Sequence, residues 1–98
     1  MDKTVFRAVE IIAAGGSVNV GPAGTWTLDN LVVECSGDVG GATFTLSQGG
    51  VDYLVLHGLK KGSFAAALIG LSAVFDGQVT FEAAGDQLTV SYSYHTHP

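Results

Sequence analysis

Ninety-eight residues with nine acidic and four basic side chains give a net charge of -5, which leaves little for an anionic partner to hold. Nucleic-acid binders neutralise phosphates with basic patches, and Lys3, Arg7, Lys60 and Lys61 include only one adjacent pair, so neither nucleic acid nor an anionic membrane surface is expected as a partner. Hydrophobic residues make up 47% of the chain and charged ones 13%, against about 25% charged in an average soluble domain, so Ser, Thr and Gly or other protein must cover the surface.

The chain begins with an extended run over residues 4–13. Val5, Arg7, Val9 and Ile11 share one phase, and Phe6, Ala8, Glu10 and Ile12 the other. Apolar residues on both phases leave a helix open beside the strand reading. Gly15-Gly16 breaks the run, and Val18 and Val20 mark a short strand ended by Gly21-Pro22-Ala23-Gly24. A strand at residues 25–28, a turn near Asp29-Asn30 and a strand at residues 31–35 follow.

Phe44 and Leu46 alternate with Thr43, Thr45 and Ser47 up to a Gly49-Gly50 turn. The next run carries Val51, Tyr53 and Val55 on one side and Leu54 and Leu56 on the other, which predicts a central strand covered on both faces. Residues 63–71 are apolar with no polar face, and strand is preferred there over a short helix capped by Ser63. Val79, Phe81 and Ala83 alternate with polar residues, as do Leu88, Val90, Tyr92 and Tyr94, and Gly85 between them suggests a hairpin. Short runs at about ten-residue intervals with glycine turns are the pattern of sandwiches and barrels. The fold expected is all-β: a small β-sandwich of jelly-roll type, about eight short antiparallel strands, forming one domain over residues 1–98.

A chain of this mass exposes about 5,200 Å² folded against about 14,500 Å² unfolded, a thin core that self-association would extend. Cys35 is the only cysteine, so no disulfide forms within the chain, and its strand context reads as a small buried hydrophobe. Met1-Asp2-Lys3-Thr4 lacks the pattern of a signal peptide. The longest apolar stretch, residues 64–75, is too short to span a bilayer. A soluble protein made in the cytoplasm is expected.

Catalytic machinery is not legible. His57 beside Gly58 has no marked nucleophile, although Cys35 or a serine with Asp52 or Asp76 would complete a site of the required type. The glycine pairs form neither a dinucleotide fingerprint nor a phosphate loop. Trp26 with Tyr53, Tyr92 and Tyr94 would make a sugar-stacking platform if surface-exposed, but their alternation with Thr and Ser favours a core or interface role. His95 and His97 share one face of the C-terminal strand, a spacing that grips metal only when further ligands join. Neither cofactor nor bound metal is expected, and the chain reads as non-enzymatic.

Glycine-paired hairpins, Ala/Thr/Ser-rich strands and the final run from Gly77, GQVTFEAAGDQLTVSYSYHTHP, resemble small structural proteins of tailed bacteriophages. The whole pattern is similar to capsid decoration, or cement, proteins. That resemblance implies a virion protein on the capsid exterior, bound to copies of itself as a homotrimer and to a major capsid protein. The interface residues expected are Val5, Val9, Ile11, Tyr92 and Tyr94. The alternative is a tail-tip or receptor- and carbohydrate-binding β module; the His95-Thr96-His97 pair resembles those at the tips of phage membrane-piercing spikes.

Overall fold

The computed structural model describes residues 4–36, 41–61, 64–65 (backbone only) and 73–97. These form nine strands: β1 (Val5–Ile12), β2 (Ser17–Val20), β3 (Thr25–Cys35), β4 (Ala42–Gln48), β5 (Val51–Leu59), β6 (Phe64–Ala65), β7 (Ala73–Asp76), β8 (Val79–Ala84) and β9 (Leu88–Thr96). One sheet runs β1-β9-β3, with β6 and β7 paired to successive stretches along the far side of β3; the other runs β2-β8-β4-β5. The pairings between strands are antiparallel.

The pairs β4–β5, β3–β7, β2–β8 and β1–β9 nest one outside the next. The chain is thus one long hairpin folded back at Gly49-Gly50, and rolling that hairpin brings β9 onto β3 and β8 onto β4. This is the winding of a jelly-roll sandwich. Its closing turn joins Gln48 to Val51 through two glycines with φ of 59° and 82°. Positive φ at both central residues is what a two-residue turn of type I′ requires.

Alternation along each strand sends one set of side chains between the sheets. Leu28, Leu31 and Val33 of β3 meet Phe44 and Phe81 from the opposite sheet in a closed core. Each such side chain contributes about 1.5–3 kcal/mol on burial. Trp26 is fully buried at one end, its Nε1 donating to the Gly77 carbonyl at 2.7 Å.

The strand read over residues 4–13 is β1, Val5–Ile12. Three local expectations are corrected. The turn expected at Asp29-Asn30 is a β-bulge inside one continuous β3, where Leu28 faces Tyr94 and Asn30 already faces Ser93. The stretch around residues 51–56 is an edge strand, not a central one, and two register shifts, at Tyr53 and near His57-Gly58, interrupt its pairing with β4. The segments around Gly85 do not pair with each other: β8 and β9 belong to opposite sheets, and the connection arches across the sandwich. Of residues 63–71, Phe64–Ala65 is strand, and the rest lies outside the described residues.

Candidate functional site

Strand β1 is an edge strand that pairs only with β9. Its register, Val5 opposite His95 through Ile12 opposite Leu88, sends Ile12 into the core and Val5, Arg7, Val9 and Ile11 outward. Val9 and Ile11 are 61% and 69% exposed. The neighbours of this row on β9 are His95, Ser93, Ser91 and Thr89. The apolar stripe is therefore one strand wide, and its single charge is Arg7, which is exposed and makes no ion pair among the described residues.

The two tyrosines expected beside that stripe point the other way. Tyr92 is buried, its ring edge-on to Phe81 at 5.3 Å and its hydroxyl donating to Glu10 Oε2 at 3.3 Å. Burial first, then the neighbouring Glu10 carboxylate, push the phenol up from 10.0 to about 12. Tyr94 is half-buried, stacked under Phe6 at 5.2 Å and edge-on to Trp26 at 5.4 Å. Of the five residues expected at an interface, the fold gathers Val5, Val9 and Ile11 on one outward row, engages Tyr92 inside the sandwich, and leaves Tyr94 partly covered. Phe6, which alternation placed inward, is 43% exposed.

His95 and His97 both find partners within the chain. The Nδ1 of His95 donates to Asp29 Oδ2 at 2.8 Å, both side chains being mostly buried. The Nε2 of His97 is hydrogen-bonded to Thr27 Oγ1 at 2.6 Å, and the two rings sit 5.5 Å apart. Asp29 reaches this position because the β3 bulge places an extra residue there, and reading the segment as a turn concealed that partner. Among the described residues no three His, Cys, Asp or Glu side chains converge as a metal site.

The remaining candidates are dispersed. His57 is exposed on β5, while Cys35 is buried with its thiol 3.7 Å from Asp86. Asp52 and Asp76 are exposed on β5 and β7. Trp26 has no exposed surface, so it cannot be a sugar platform. Among the described residues no helix is long and apolar enough to cross a membrane. The sequence matches no protein-family model and no curated protein.

Proposed function

We propose that this chain is a non-enzymatic structural protein of a tailed-phage virion, a decoration protein that joins copies of itself, as a trimer, and binds the major capsid protein on the outside of the head. The observation that carries the reading is the outward row Val5, Val9 and Ile11, apolar side chains left to solvent with only Arg7 among them on a charge-poor protein. Such surface marks a protein contact. A component that binds only the assembled shell stabilises that shell by mass action. Burial of Trp26 weighs against the carbohydrate-binding alternative, and the internal partners of His95 and His97 weigh against a metal-tipped spike.

The test is a solution mass by light scattering, followed by co-sedimentation with purified expanded heads from the phage or prophage whose genome encodes the chain. A trimer that pellets with heads is the expected result. A protein that stays in the supernatant at every concentration overturns the reading.

A further inference from the structure

The register carries the outward row of β1 across the first sheet. On its outer face Val5 lies level with Val74 of β7, Arg7 with Asn30 of β3, Val9 with Val32 and Ile11 with Glu34. Between the members of each pair runs β9, whose outward row is Thr89, Ser91, Ser93 and His95. This face therefore has two apolar flanks, one on β1 and one made by exposed Val74 and half-buried Val32, with a polar strip down its middle.

The outer face of the second sheet is different. It presents Thr45 of β4 with Thr80 and Glu82 of β8, and among the described residues Val55 is its only exposed large hydrophobic side chain. Apolar surface of the kind that marks a protein contact is thus concentrated on one face of the sandwich.

Charge selects the occupant. The outward row of β1 carries Arg7 and no acid, because Glu10 turns toward Tyr92. The outward rows of β3 and β7 carry Glu34, Asp76 and, at the bulge beside Asn30, the Asp29 that holds His95, with no base among the described residues. The two flanks of one chain are kept apart by β9, so they can meet only between copies. A symmetry axis parallel to the strands leaves every residue at its own height. It sets Val5 of one copy against Val74 of the next, Val9 against Val32, Arg7 against Asp29 and Asn30, and Ile11 beside Glu34. Edge-to-edge pairing of β1 with a second β1 would instead leave Val74 bare and give Arg7 no carboxylate. A two-fold axis along the strands would press the polar row of β9 onto its own copy, whereas three copies leave that row open to water at the centre.

We propose that three copies of this chain pack around an axis parallel to the strands, the outer face of the first sheet turned inward and the β1 flank of one against the β3–β7 flank of the next. A heterologous contact of this kind closes into a ring when its rotation permits. The inference names the contact behind the self-association in the reading above and rests on that part of it, without requiring the capsid.

A cysteine pair tests the matched heights. In Val9→Cys/Val32→Cys the two thiols of one chain stand two strand spacings apart, about 10 Å, beyond the roughly 7 Å that a disulfide spans. Cys35 is buried and stays out of the reaction. Oxidation with copper phenanthroline should give covalent dimers and trimers of the double variant on a non-reducing gel, and monomers of each single variant. A double variant that stays monomeric overturns the proposal, and so does a single Val9→Cys that cross-links, since β1 then meets β1. Sedimentation gives an independent reading, with circular dichroism melts confirming that each variant folds. The wild type should run as a trimer, Val74→Glu should weaken association at least tenfold, and Val55→Glu on the other outer face should change nothing. A wild-type monomer, or a Val74→Glu variant that assembles normally, overturns the proposal. Co-sedimentation of the same samples with heads separates the two readings: a monomer that pellets with heads sinks only the contact between copies. A trimer that ignores heads sinks only the capsid role.

Discussion

The indole of Trp26 lies over the bare α-carbon of Gly21, whose φ is +95°, so that a Cβ there would fall 2.7 Å from Trp26 Cε2. The indole cannot retreat, because its Nε1 is tied to Gly77 and its ring is wedged between Phe75 and Tyr94. Gly21→Ala combines backbone strain with overpacking and is expected to destabilise by about 2–4 kcal/mol. Gly49→Ala, at a positive φ with open space around it, meets only the strain and should cost about 1 kcal/mol. Urea melts of the two variants check the difference. Tyr92 supplies a second test at this scale. Its phenol is held neutral up to about pH 12, against 10.0 for the ordinary group. Stability from this group is complete below the unfolded value and is lost as pH rises through the window between the two, where the unfolded chain binds fewer protons. Tyr92→Phe should flatten that alkaline decline in urea midpoints, at a cost of about 1 kcal/mol at neutral pH for the lost bond to Glu10.

At the scale of elements, the turn between β7 and β8 is held by Gln48 as well as by Trp26, whose Nε1 donates to the Gly77 carbonyl. Gln48 Nε2 donates toward the carbonyls of Asp76, Gly77 and Gln78 at 2.9, 3.4 and 3.2 Å. Gln48→Ala should cost about 1 kcal/mol globally and speed hydrogen exchange of the amides around Gly77 while leaving the β1–β9 ladder protected. Nothing in the spacing of Gln48 announces this contact, which joins residues 28 to 30 positions apart. The same limit governed the rest of the reading. The alternation of β9 and the Gly49-Gly50 turn were legible because both are local. Strand β5 was misread because apolar residues on both phases look alike in a doubly covered strand and in an edge strand whose bulges send Tyr53 sideways onto Phe75. The β8–β9 connection was misread because a glycine turn does not say whether the chain returns beside itself or crosses to the opposite sheet. Val5, Val9 and Ile11 were legible as a row because they share one phase of a single strand, whereas the place of Val74 on that same outer face follows only from the pairing of β7 with β3 and of β3 with β9.

At the scale of the whole molecule, the proposed self-association of a small sandwich that leaves Val5, Val9 and Ile11 exposed should make its stability rise with its own concentration. Any partner that binds only the folded chain adds RT ln(1 + [L]/Kd), about 2.7 kcal/mol at a hundredfold excess over Kd. For a domain near this length each kcal/mol moves the melting midpoint by about 4–8 °C. Raising wild-type protein a hundredfold above its dissociation constant should therefore raise the midpoint on the order of 10 °C. Ile11→Glu, which places a charge in the outward row of β1, should melt at a concentration-independent midpoint close to that of dilute wild type, since the position is exposed and outside the core. Differential scanning calorimetry over two decades of concentration reads both. A flat wild-type midpoint would mean that the exposed valines and Ile11 stabilise no contact between copies, and would leave their burial to a different protein.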